Sequence, residues 1–191
     1  MVVSVVTSRG RGRESEVAVE QTHYGLWSID AGKVTSVRWF GTLDEALEAA
    51  GRREQAVSQE NVEIATRWYE AATSKQQLLA AMPRTMALCH PKVEWTVPED
   101  GTTYRGREGV SQRLTGWLES FDDYRYEVQR IIDCGGDEVL VVATEIGRGA
   151  TSGAEVRATN YELLTIRRGM IVRIREFYDT GDAFDAAGLQ E

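Results

Sequence analysis

The chain is short of the residues on which several kinds of chemistry depend. It holds two cysteines and two histidines in 191 residues. Cys89 and Cys134 show no CxxC spacing, so a zinc site of four close ligands is not expected. Two unpaired cysteines fit free thiols in a reducing cytoplasm. No histidine stands near either one in sequence, and neither is expected to be a nucleophile. No apolar run reaches the roughly 18 residues that a membrane helix needs. The apolar start, Met1–Val6, is short and follows no basic segment, so no signal peptide is expected. Positive charge is in deficit, with 22 Lys and Arg against 30 Asp and Glu, a net charge of −8. Such a surface repels phosphate backbones, which argues against nucleic acid as a partner. The one basic cluster, Arg9, Arg11 and Arg13, runs into Glu14 and Glu16 and reads as a solvated strand or turn. Phosphate loops are missing too. Gly10-Arg11-Gly12 and Gly147-Arg148-Gly149 look like hairpin glycines, and neither GxGxxG nor GK[ST] occurs. The Ser and His residues form no triad pattern. No cofactor and no metal is implied.

What the chain does have is an internal repeat. Shifted by 137 positions, Thr7–Gly51 lies on Thr144–Gly188 without a gap, and 17 of the 45 positions are identical. Chance would give about three. Tyr24 falls on Tyr161, Gly32 on Gly169, Arg38 on Arg175 and Phe40 on Phe177. Each copy predicts three strands and a short helix ending in glycine, Gly51 or Gly188, as a left-handed C′ residue. Residues 1–56 thus read as the tail of a second, truncated domain. They either add strands or a partner surface, or remain from a tandem gene whose front was lost. Three strands and a helix make a poor core alone.

Residues 57–191 read as a complete domain. Ser58 predicts an N-cap with Glu60 in the first turn. Ala65, Trp68, Tyr69 and Ala72 give the helix one apolar face. A second helix carries Leu78, Leu79, Met82, Met86 and Leu88, split or kinked at Pro83. His90–Val97 alternates as a strand. Arg107–Phe121 predicts a third helix with Val110, Leu114, Trp117 and Leu118. Four strands follow, at Tyr124–Cys134, Glu138–Ile146, Val156–Arg167 and Ile171–Tyr178, with turns at Gly135-Gly136 and Gly169. Helices gathered on one face of an antiparallel meander make an α+β fold.

Several motifs in that order carry a resemblance. They are Ser-Gln-Glu-Asn-Val-Glu (58–63), Trp-Tyr-Glu-Ala (68–71), His-Pro-Lys-Val-Glu-Trp (90–95), Tyr-Arg-Gly-Arg-Glu-Gly-Val (104–110) and Arg-Glu-Phe-Tyr-Asp (175–179). Over about 130 residues the chain resembles SnoaL-like proteins of the NTF2-like superfamily, whose relatives include ketosteroid isomerase and polyketide cyclases. The resemblance implies a cone-shaped, cystatin-like curved antiparallel sheet over three helices, here preceded by extra strands. It also implies one apolar pocket inside the cone, and homodimers formed through the open sheet face.

By the same resemblance Ile174, Glu176 and Tyr178 face the pocket from the last strand. Glu162 joins them from its neighbour, Trp95 from the first strand and Trp68 from the first helix. Trp117 completes the expected wall. Glu162 aligns with the acid that ketosteroid isomerase uses as a neutral donor. The isomerase's general base aligns with Trp95 and its oxyanion tyrosine with Trp68. An indole donates one N–H and accepts no proton, so that mechanism does not carry over. Glu162 and Glu176 are the expected catalytic pair, since burial raises a carboxyl pKa and can divide acid from base. Alternatively they are structural carboxylates, paired with arginine or turned to solvent. The tryptophans and Tyr178 equally suit core and pocket wall. Tyr69 is expected to pack in the helix with its hydroxyl at the rim, His90 to be a surface or capping residue, and Asp179 to cap the last helix.

Three functions remain. The first is isomerase- or cyclase-like acid–base chemistry on a small apolar carbonyl compound. The second is non-catalytic binding of a small hydrophobic ligand. The third is an interaction domain whose extra strands mimic or block the pairing face.

Overall fold

The computed structural model describes residues 1–11, 18–70, 74–98 and 101–189. Arg13, Glu14, Glu16 and Gly12 lie outside the described residues, as do the side chains of Arg9 and Arg11. The chain divides into two compact units, Met1–Ala56 and Val57–Glu191.

The first unit is an antiparallel sheet of β1 (Val2–Arg11), β2 (Ala18–Asp30) and β3 (Lys33–Phe40), in that order. Ala31 and Gly32 join β2 to β3 with both φ angles positive, at 47° and 74°. That geometry matches the twist of a two-residue hairpin. Thr42 and Glu45 then open helix α1 (Leu43–Tyr69) as a reciprocal cap, each side chain accepting the other's backbone N–H. Here the sequence expectation needs correction. Gly51 does not end this helix and Ser58 does not begin another, because α1 runs through both. One glycine costs about 1 kcal/mol in a helix, and the good helix formers of 52–56 carry the turn onward. Ser58 instead hydrogen-bonds Asp133.

The spacing of 137 residues recurs in the backbone. β2, β3 and the start of α1 have counterparts in β8 (Glu155–Arg167), β9 (Met170–Phe177) and α4 (Thr180–Ala186) at that offset. The pairing Val2↔Trp27 matches Val139↔Leu164, and Tyr24↔Phe40 matches Tyr161↔Phe177. The bulge at Ser28/Ile29 matches that at Thr165/Ile166. Arg168 and Gly169 repeat the positive φ angles of Ala31 and Gly32.

The second unit takes in the end of α1, then α2 (Lys75–Ala87), β4 (Cys89–Thr96), β5 (Thr103–Arg105) and α3 (Gly106–Glu119). β6 (Phe121–Asp133), β7 (Glu138–Gly149), β8, β9 and α4 follow. The six strands form one curved sheet in the order β5-β4-β9-β8-β7-β6, antiparallel except where β4 meets β9. Ser74 caps α2, and α2 passes through Pro83 unbroken. The proline gives up only a bond to the carbonyl of Leu79, an exposed residue.

One residue in two along each strand faces the helices. Val139, Val141 and Ala143 of β7, Leu164 and Ile166 of β8, and Ile174 of β9 pack there against Ile64, Ala65 and Met86. The opposite face carries a smaller core, where Leu140, Leu163 and Tyr161 meet Ala183 and Ala187 of the α4 end. Asp179 caps α4 by accepting the N–H of Asp182. Full burial of each large aliphatic side chain contributes about 1.5–3 kcal/mol. The same alternation that builds the main core also sets three carboxylates on its face.

Candidate functional site

Glu162 lies on the helix-facing side of β8, two residues before Leu164, and Glu176 lies opposite it on β9. Glu145 continues the row of Val139, Val141 and Ala143 on β7. All three are buried. They line one cavity with Trp68, Tyr69, Trp95, Arg113, Trp117, Tyr124 and Tyr126. Leu78, Thr85, Leu114 and Leu118 complete its wall. The cavity leaves about 60 Å³ for the centre of a water-sized sphere. One water needs roughly 10–15 Å³ by that measure, so the space suits a molecule of a few heavy atoms.

Phenol, indole, amide and guanidinium donors meet the carboxylates. Tyr69 and Tyr126, stacked with ring centroids 5.5 Å apart, both donate to Glu162, Tyr126 across 3.1 Å. Tyr124 donates to Glu145 at 2.6 Å and accepts from the indole of Trp117 at 3.4 Å. Asn160 donates to Glu176 at 2.7 Å, Trp95 at 3.3 Å and Tyr178 at 3.4 Å. Arg113 pairs with Glu176 at 3.5 Å, both side chains being buried, and lies 4.7 Å from the ring of Trp117.

This setting moves the protons. Burial, then the charge of Glu176, pushes the Glu162 carboxyl up to about 8, against the pull of its tyrosine partners. Burial also raises Glu145, partly offset by Tyr124 and Asn160. The phenols of Tyr69 and Tyr126 are raised well above their ordinary value, first by burial and next by Glu162. Near neutral pH Glu162 therefore carries a proton, and its phenol partners can rotate to accept as well as donate.

The residues singled out from sequence divide into two groups. Glu162, Glu176, Trp68, Trp95 and Trp117 come together on the cavity wall. Ile174 is fully buried in the core and is not on that wall. Tyr178 is 41% exposed and reaches the site through its hydroxyl on Glu176. Tyr69 is not at a rim, since its hydroxyl is inside on Glu162. His90 accepts the N–H of Lys92 in a local turn. Burial raises the Cys89 thiol to about 12, which keeps it protonated. Glu145, Asn160, Arg113, Tyr124 and Tyr126 escaped the sequence reading. The signals were there in Tyr124-Arg125-Tyr126 and in a glutamate at the apolar phase of β7.

A family model for the SnoaL-like domain matches residues 65–174, from the tryptophan-bearing helix through the Glu162 strand and into β9. The chain belongs to the SnoaL-like family. No curated protein matches it. Among solved structures, the SnoaL-like domain is similar to an NTF2-like protein of unknown function from Burkholderia pseudomallei K96243, at 19% identity and TM-score 0.54. That match covers 66% of this chain and 95% of the other. An NTF2-like protein from Burkholderia thailandensis E264 gives 22% identity and TM-score 0.55, covering 68% and 98%. A protein with a ketosteroid isomerase-like fold from Catenulispora acidiphila DSM 44928 gives 20% and 0.53, covering 67% and 94%. At such identities the likeness is one of fold, and the chemistry has to be argued from the SnoaL-like site itself.

Proposed function

We propose that the SnoaL-like cavity performs proton transfer on a small carbonyl compound, with Glu162 carrying the proton. One observation supports this most: a buried carboxyl on the cavity wall, held between two phenols, with its pKa pushed up to about 8. A proton carrier works best when its pKa lies near the working pH. Glu176, bound by Trp95, Asn160 and Arg113, serves as the fixed negative charge that keeps Glu162 protonated. Trp95 positions that charge and takes no proton. The sequence expectation of an acid–base pair thus narrows to one proton carrier and one fixed anion.

The test is solvent deuterium exchange at the α-carbon of a small ketone, followed by NMR. Ionised Glu162 is the base, so the exchange rate should rise with pH and level off above about 8. Glu162→Gln should remove that inflection and slow exchange by about 100-fold or more. An unchanged profile in the variant contradicts the proposal. Trp68 and Trp95, which by the family resemblance stand where an isomerase has its tyrosine and its base, favour a second reading as a binding pocket. Saturable ligand binding with no exchange at any pH would select it.

A further inference from the structure

The balance of charge in the cavity goes beyond what proton transfer requires. Among the lining residues three are carboxylates, Glu145, Glu162 and Glu176, and one, Arg113, is a cation. Arg113 is engaged with Glu176 and lies against Trp117. The donors that meet Glu145 and Glu162 are neutral, namely the phenols of Tyr69, Tyr124 and Tyr126 and the amide of Asn160. The Asn160 carbonyl oxygen is buried with no hydrogen-bond partner. With Arg113 paired to Glu176 and only neutral donors on Glu145 and Glu162, the cluster is rich in acidic groups and acceptors and poor in positive charge. In a buried space this field repels an anion, is indifferent to a neutral group and attracts a cation. The aromatic walls add to the same preference, because ring faces attract ammonium groups. The three carboxylates do not converge as metal ligands do. Among the described residues no three His, Cys, Asp or Glu groups are placed to hold one ion. A space of about 60 Å³ limits the cation to a few heavy atoms.

We infer that the ligand of this cavity is a small carbonyl compound carrying a protonated amine. The inference rests on the preceding reading in seating the ligand in this cavity. The ammonium group sits toward Glu145 and its N–H groups meet carboxylate oxygens, while the adjacent carbon stands within reach of Glu162. A positive charge placed there replaces the proton on Glu162 as the group that offsets the buried negative charge.

Three probes of similar size separate the possibilities: aminoacetone, butanone and pyruvate, which are cationic, neutral and anionic carbonyl compounds. Their binding to the full chain at pH 7 is followed through the tryptophan indole N–H signals. Aminoacetone should bind about tenfold more tightly than butanone, and pyruvate most weakly. Glu145→Gln should bring aminoacetone down to the level of butanone, and Glu145→Asp should keep most of the preference. Binding of butanone or pyruvate as tight as aminoacetone overturns the inference, and so does binding of none of the three. α-Proton exchange in the same samples separates the two claims. Selective aminoacetone binding without exchange overturns proton transfer and leaves the ligand class standing. Exchange that depends on Glu162 but shows no charge preference does the reverse.

Discussion

At the scale of the residue, Glu162 concentrates the chemistry. Its carboxyl titrates near 4.5 when free and near 8 in the fold. Between those values the folded chain holds a proton that the unfolded chain has released. Folding therefore loses stability as pH rises from about 4.5 through 8. Glutamine at this position is neutral in both states and removes that slope. Urea unfolding at pH 5 and pH 8.5 should show the wild type losing on the order of a few kcal/mol more than Glu162→Gln across the window. Equal losses would mean that Glu162 titrates normally in the fold. Glu145 and Glu176 do not fill the same role. Glu145 has a phenol and an amide as partners, whereas Glu176 has a guanidinium.

At the scale of the element, strand alternation separates wall from core. β9 puts Ile174 and Glu176 on one face, as the sequence implied, but only Glu176 reaches the cavity. Ile174 pairs with Trp95 and Leu164 on the flanking strands and is sealed off. Ile174→Ala should cost about 2–5 kcal/mol in stability, as other buried truncations do. Its effect on ligand affinity, measured on the folded fraction, should be under twofold. A large affinity loss without destabilisation would return Ile174 to the binding wall. The face of a strand was readable in the sequence because period two is a local property. Depth was not, since it depends on which helix side chains lie above each position. Tyr69 shows the same limit, as its helical phase was clear while its meeting with Glu162, 93 residues on, was not. Helix ends depend on distant packing for a related reason. Gly51 and Ser58 have the local chemistry of a stop and a start, but no proline or αL turn separates them, and α1 continues.

At the scale of the whole molecule, the two units share a backbone plan and differ in chemistry. By the offset of 137, Gly25 stands where Glu162 does, Trp39 where Glu176 does and His23 where Asn160 does. A Cβ on Gly25 would come within 3.0 Å of both Trp39 and Ser4, so a side chain there would force its neighbours to shift. The first unit has the same strand register, bulge and turn, and no carboxylate at the positions of Glu162 and Glu176. In that unit Val37 and Trp39 are exposed, whereas Gly25 is buried. In the SnoaL-like unit helices and sheet together enclose a cavity. No helix among the described residues is long and apolar enough to cross a membrane.

The claim on which the functional account depends is that the fold holds the Glu162 proton near neutrality. A carbon-detected NMR titration of glutamate carboxyls in the full chain, assigned by Glu162→Gln, measures it directly. The account predicts a midpoint close to 8 for Glu162, coupled to small shifts in Tyr69 and Tyr126. A midpoint in the ordinary carboxylate range, between about 4 and 5, would contradict it.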